Sequence, residues 1–362
     1  MPRRMAYDRW LFFTATLLVI GGLIMVGSSS NHAAMAWGMD PSAFLFKHAL
    51  NVLLGFGALM LALAMPYKKL DQRSLILFGF VGCALALLLV LTMPPVNGAR
   101  RWIPGPLNLQ PSEFAKLFGV LFMAYMLSRK EKRVNDFLAV PAPCGLIIGS
   151  LAFLVVIEPD LGSALMLVLI PCVLMFVAGL RWRYVFGTAA LGVVTLAAAV
   201  ITEPYRLARI KSFLEPAASP EGVTFQLRQS LIAVGSGGLT GVGLGQGQQK
   251  ALFLPAAHTD FIFSIVGEEL GLIGTGILLL AFLLICWRGL RAAVKAPDRF
   301  GFYLALGLTM LIVVQGLTNM CVCLGLLPTK GLPLPLISYG GSSLLASMAA
   351  TGLLLNVSQY SN

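Results

Sequence analysis

Charge is what this sequence is short of. Only 11% of its 362 residues are Asp, Glu, Lys or Arg, against about a quarter in an ordinary soluble domain, which excludes a chain that meets water on all sides. Cysteine is absent wherever it could do redox or metal work. Cys83, Cys144, Cys172, Cys286, Cys321 and Cys323 all sit inside apolar runs, where they read as small buried hydrophobes rather than a disulfide framework or a zinc site. No internal repeat, low-complexity tail or soluble domain is visible, so residues 1–362 read as one membrane domain. What is present is apolar: 58% hydrophobic residues and a mean hydropathy of +0.85. The expectation is an all-α polytopic membrane protein.

Runs approaching the ~20 residues that cross the hydrocarbon core fall at about 10–30, 44–64, 74–93, 113–128, 141–157, 161–179, 184–202, 261–287, 301–325 and 336–358, predicting about ten transmembrane helices. Basic residues mark the cytoplasmic side. Arg3, Arg4 and Arg9, Lys68, Lys69 and Arg73, Arg129 to Arg133, Arg181 and Arg183, and Arg288 to Arg299 fall in alternate short connections and make up most of the 26 Lys and Arg. Both termini are therefore expected in the cytoplasm, with one large outer loop at about 203–260. The net charge of +11 is spent on these loops, where it meets anionic membrane lipid; nucleic acid is not expected as a partner.

Four outward places carry polar residues that a lipid-solvated bundle does not need. In the first, Ser112 reads as a helix N-cap with Glu113 in the first turn, and Glu113 and Lys116 can pair three residues apart on one helical face. A cation inside an apolar run favours a functional part over a plain helix start. Arg100 and Arg101 beside Trp102 fit a ligand contact and an interfacial anchor equally well. The second, Glu158-Pro159-Asp160-Leu161-Gly162, reads as a tight turn in which Asp160 caps the next helix. The third is the 203–260 loop. Its basic-apolar stretch at 203–211 suggests an interfacial helix, and its glycines from Gly235 to Gly247 match no nucleotide-binding fingerprint. They read as backbone folded over the membrane surface. The fourth, from Pro328 through Lys330 to Ser343, is broken by prolines and glycines where the chain re-enters the membrane, which is tolerated only beside a cavity.

Arg101-Trp102 with Gln110-Pro111-Ser112-Glu113, Glu158-Pro159-Asp160-Leu161-Gly162, Gln226 with Gln229-Ser230, His258-Thr259-Asp260-Phe261, Gly267-Glu268-Glu269-Leu270-Gly271 and Pro333-Leu334-Pro335-Leu336-Ile337-Ser338-Tyr339-Gly340-Gly341-Ser342 follow in order. Together they closely resemble the SEDS family (shape, elongation, division and sporulation), and Pro328-Thr329-Lys330-Gly331 is similar to its cell-division branch more than its elongation branch. The resemblance implies a peptidoglycan glycosyltransferase that polymerises lipid II at the outer face of the bacterial cytoplasmic membrane, at the division site. It implies Asp260 as the catalytic group and the Glu113/Lys116 pair as support for the active cavity. It also implies a class B penicillin-binding protein and other division proteins as partners. Ala256 stands where many members carry a Glu.

Joining one lipid-diphosphate sugar to another needs one base for the acceptor hydroxyl and a stabiliser for the departing undecaprenyl diphosphate, in contrast to the two carboxylates of glycoside hydrolysis. Asp260 is the candidate base, and Arg101, Lys116 and Lys330 are the candidate stabilisers. Asp160, Glu113, Gln229, Ser230, His258, Thr259 and Ser338 complete the candidate substrate-binding set. Magnesium or manganese could share the charge, with Asp260 and Asp160 as oxygen ligands and phosphate completing the shell; the sequence shows no self-contained metal site. Glu268 reads as a support and Glu269 as a partner to another helix, with at most one of them facing the groove of Asp260. Two rivals remain: a lipid II flippase, which needs polar groups along a path through the bilayer and tolerates loss of one outer acid, and a non-catalytic division scaffold, which has neither activity.

Overall fold

The computed structural model describes residues 6–36, 41–95, 99–105, 108–188, 223–252 and 257–361, together with positions 190, 192, 213 and 254. The regular structure of the described residues is helical, apart from an isolated β-bridge between Ile103 and Leu109. The long helices are α1 (Arg9–Ala36), α2 (Pro41–Ala64), α3 (Arg73–Leu91), α4 (Pro111–Lys130), α5 (Pro141–Ile157) and α6 (Leu161–Val177). They are followed by α7 (Val223–Ser236), the one-turn α8 (Gln249–Leu252), α9 (Ile262–Val294), α10 (Arg299–Cys323) and α11 (Gly341–Ser358). Six of these, α1, α2, α3, α9, α10 and α11, are long and apolar enough to cross a membrane, and α5 and α6 are shorter apolar helices. Of the predicted run 184–202 only 184–188, 190 and 192 are described, all of them helical, and the basic stretch 203–211 lies outside the described residues.

Large apolar side chains point outward on α2, α3, α5 and α9, among them Leu61, Phe78, Leu146 and Leu280. Water would not tolerate so much exposed apolar surface, whereas lipid is its natural solvent. The inner helices are α4, α10 and α11, which bury polar as well as apolar side chains: Glu113, Lys116, Gln315, Asn319, Thr351 and Asn356 are all nearly inaccessible. Close approach at small residues lets α11 pack along α2. A Cβ on Gly352 would lie 2.4 Å from the Leu59 carbonyl oxygen, so only glycine permits this backbone contact.

Two local expectations are corrected. Helix α4 begins at Pro111 with Gln110 at the N-cap, not Ser112; proline's fixed φ and missing N–H suit the first helical position. The run predicted from 336 becomes helical only at Gly341, and its first residues form irregular backbone. The glycine run, much of it exposed, packs against a helix. Gly237 to Gly247 lie alongside α9 six or more residues into that helix: Val242 and Gly243 donate to the Glu268 and Glu269 carbonyls at 3.0 and 3.1 Å, and Leu272 donates to Gly238 at 2.9 Å. Helix α9 breaks at Gly271, whose φ of 64° belongs to glycine. The freed backbone groups of the broken helix and of the glycine run satisfy one another.

Candidate active site

The candidate site lies where two irregular connections meet the inner helices. His258-Thr259-Asp260 precedes α9, and its backbone is held at every residue: Tyr339 N–H donates to the His258 carbonyl at 3.0 Å, Ser338 Oγ to the Thr259 carbonyl at 2.5 Å, and Asn319 Nδ2 to the Asp260 carbonyl at 2.7 Å. Ser338 Oγ also accepts from Leu334 N–H at 2.8 Å. The proline-rich connection between α10 and α11 thus serves as a template for the aspartate loop.

The Asp260 side chain is half-buried and turns toward Gly331. A Cβ on that glycine would sit 3.2 Å from Asp260 Oδ2 and 3.8 Å from Arg101 Nη1. An anion, a guanidinium and a side-chain-free backbone segment therefore converge on one point. Arg101 is aimed there by the turn after α5: its Nε donates to the Glu158 carbonyl at 3.2 Å and its Nη2 to the Pro159 carbonyl. Lys330, adjacent to Gly331 and half-buried, has its ammonium pKa lowered by burial.

Asp160 caps α6, with Oδ1 accepting from Ser163 N–H at 3.1 Å. Its Oδ2 accepts from Gln110 Nε2 at 3.0 Å and Ser112 Oγ at 3.3 Å. With both oxygens engaged, it is a knot between α4 and α6. Among the described residues no three His, Cys, Asp or Glu side chains come together that could hold a metal ion.

Glu113 and Lys116 form a buried ion pair at 2.8 Å. Lys116 also donates to Gln315 Oε1 at 2.7 Å, and Gln315 Nε2 donates to the Pro333 carbonyl at 3.1 Å. The pair therefore reaches the Lys330–Pro335 connection through one side chain. A small cavity beside it is lined by Glu113, Lys116, Gln315, Pro335 and Ser347. Ser230 is fully buried and fastens α7 to its neighbours: its Oγ lies 2.5 Å from Ser264 Oγ and donates to the Cys323 carbonyl at 2.8 Å. Gln229, next to it, is half-buried. The His258 ring packs edge-on to Phe44 and Tyr339, at 5.3 and 5.6 Å between centroids.

Glu268 and Glu269 both face the glycine run, because that run wraps the broken helix. Glu268 Oε1 accepts from Gln248 and Gln249 N–H at 2.7 and 3.1 Å. Glu269 pairs with Lys250 at 2.5 Å and accepts from Ser28 Oγ on α1. Sequence reasoning missed Asn319 and Gln315, polar residues inside an apolar run whose intramembrane position was the available signal, and Lys250.

The cell cycle protein family model covering FtsW, RodA and SpoVE matches residues 8–362. The chain is 42% identical to the probable peptidoglycan glycosyltransferase FtsW of Geobacter metallireducens, over 97% of this chain and 94% of that one. It is 41% identical to stage V sporulation protein E of Bacillus subtilis, over 98% and 97%. Among solved structures it resembles a chain from a study of how a peptidoglycan synthase complex coordinates polymerization and crosslinking, with a TM-score of 0.79, 32% identity and 98% of each chain covered. It also resembles the rod shape determining protein RodA of Thermus thermophilus, with a TM-score of 0.72, 31% identity and coverage of 98% and 97%. The motifs, the fold and the full-length likeness agree: the chain belongs to the FtsW, RodA and SpoVE family of cell cycle proteins, the SEDS family.

Proposed function

We propose that the chain is a peptidoglycan glycosyltransferase that polymerises lipid II at the outer face of the cytoplasmic membrane during cell division, with Asp260 as general base. In this reading both termini are cytoplasmic and the Asp260 side of the bundle faces outward. The observation that carries it is the convergence of the Asp260 carboxylate and the Arg101 guanidinium on the position a side chain would take at Gly331.

Asp260 Oδ2 takes the proton from the acceptor sugar hydroxyl as its oxygen forms the new bond to the anomeric carbon of the donor. The bond from that carbon to the diphosphate oxygen breaks with inversion, and undecaprenyl diphosphate leaves with the electron pair. Fixed cations stabilise developing charge most when they need no reorganisation. Arg101 meets that condition through its two carbonyl contacts, and Lys330 supplies a second cation on the same connection as Gly331. A magnesium or manganese ion would be held chiefly by the substrate's diphosphate oxygens, and these steps rest on protein residues alone. Glu113 and Lys116 act from behind, through Gln315. The neighbour from a synthase complex that coordinates polymerization and crosslinking supports a class B penicillin-binding protein, a crosslinking enzyme, as partner.

The test is polymerisation of lipid II by the purified protein with its partner. Asp260→Ala and Asp260→Asn are expected to lose glycan synthesis while remaining folded. Long glycan made at near the parent rate by either variant refutes the assignment, and lipid II crossing vesicle membranes regardless of Asp260 would favour a flippase.

A further inference from the structure

We infer that Asn319 is the positioning residue that sets where the Asp260 carboxylate stands relative to Arg101 and Lys330. This rests on the reading of Asp260 as the base.

Asn319 lies on α10 and is 1% exposed. Its single Nδ2 group donates to two carbonyls at 2.7 Å each, that of Asp260 and that of Leu332. Those carbonyls belong to the two connections that make the site. One carries the base; the other carries Lys330 and Gly331, and Gly331 is the residue against which the Asp260 carboxylate packs. Since one amide has two donor hydrogens, a single planar group fixes the spacing of both backbones. Ser338 and Tyr339 act from within the second connection itself.

The surroundings hold the amide in place. One turn along α10, Cys323 Sγ lies 3.8 Å from Asn319 Oδ1 and 3.6 Å from the Asp260 carbonyl. The Cys323 carbonyl in turn accepts from Ser230 Oγ, which joins α7 to the same point. Asn319 therefore connects the rigid inner bundle to two segments of irregular backbone. A helix is a more precise platform than a loop for holding a reacting group, and here the helix supplies the precision without supplying the base.

An angstrom of misplacement at a reacting group can cost about a hundredfold in rate, so the effect belongs in kcat rather than in substrate affinity. The experiment compares Asn319→Leu, which keeps volume and removes the donors, with Asn319→Ala, which also opens a cavity, and Asn319→Gln, which keeps an amide. Steady-state lipid II polymerisation is measured with the partner present. Asn319→Leu and Asn319→Ala are both expected to lower kcat at least tenfold with KM within about threefold of the parent, and Asn319→Gln to recover part of the loss.

Asn356→Leu is the control. Asn356 is an equally buried asparagine on α11 whose Nδ2 donates to the Leu63 carbonyl at 2.6 Å, on another part of the molecule. It is expected to reduce thermal stability with kcat within twofold of the parent. If Asn319→Leu keeps kcat within twofold, or if only Asn319→Ala is impaired, or if Asn356→Leu loses kcat equally, the inference is overturned. If Asp260→Asn proves active in the same assay, the underlying reading of the base fails instead, and the two failures are told apart.

Discussion

Substituting Lys116 by methionine removes a cation from a site where its partner cannot reach water. The side chains of Lys116 and Glu113 are 1% and 3% exposed and 2.8 Å apart. Breaking a buried pair from one side leaves an uncompensated charge and costs about 3–5 kcal/mol, whereas removing both charges together is often near neutral. The Arg133–Asp136 pair, at 2.7 Å but 66% and 43% exposed, provides the contrast, since exposed pairs contribute about 0–1 kcal/mol. Lys116→Met is therefore expected to lower unfolding stability by several kcal/mol, Glu113→Gln with Lys116→Met by less than half as much, and Arg133→Met by at most about 1 kcal/mol. Denaturant unfolding in lipid nanodiscs measures all three. Because Gln315 links Lys116 to the Pro333 carbonyl, glycan synthesis by folded Lys116→Met protein is also expected to fall. Equal losses for the single and double variants, or a Lys116→Met protein as stable as the parent, would refute the argument.

Gly331→Ala places a methyl group 3.2 Å from Asp260 Oδ2, so the carboxylate must shift by a few tenths of an ångström. A fall in kcat of about three- to tenfold with unchanged stability is expected, read by polymerisation kinetics alongside thermal melting. Glu158, in the turn between α5 and α6, has its carboxyl pushed up to about 8, first by burial and then by Asp160, with Arg101 pulling the other way. Its folded value lies above the unfolded value of about 4.3, so the folded state holds the proton more tightly. The stabilisation from this group is full below that unfolded value and is lost as pH rises through about 8. Glu158→Gln is expected to flatten the fall in melting temperature across that window; an unaltered pH profile would count against this origin.

Much of the fold was legible because each apolar run carries its own length requirement. Runs at 10–30, 44–64, 74–93, 141–157 and 161–179 reappear as helices with ends within a few residues, except that α1 continues to Ala36. The segment before Asp260 was legible only in part. Gly235 to Gly247 announce a backbone that needs unusual conformations, yet nothing local says that this backbone will lie against α9. Hydrogen bonds from Val242 and Gly243 to the carbonyls of Glu268 and Glu269 decide that. An ideal helix puts Glu268 and Glu269 on different faces, yet the wrapped loop meets both carboxylates.

The candidate site divides along the same line. Asp260, Arg101 and Lys330 stand out in sequence because ionisable groups beside apolar runs are costly without a purpose. Ser230, His258 and Ser338 enter through the family motifs, and the structure shows them in helix fastening, aromatic packing and loop anchoring. By itself, then, the sequence determined the solvent this chain lives in, the placement of most helices and the family, since hydrophobic length and ordered motifs are local properties. Only the tertiary structure decided that Asp260, Arg101 and Gly331 share one point and that Asn319 spans the two connections around it. Those contacts join residues far apart in the chain, which only the packing of the helices brings together.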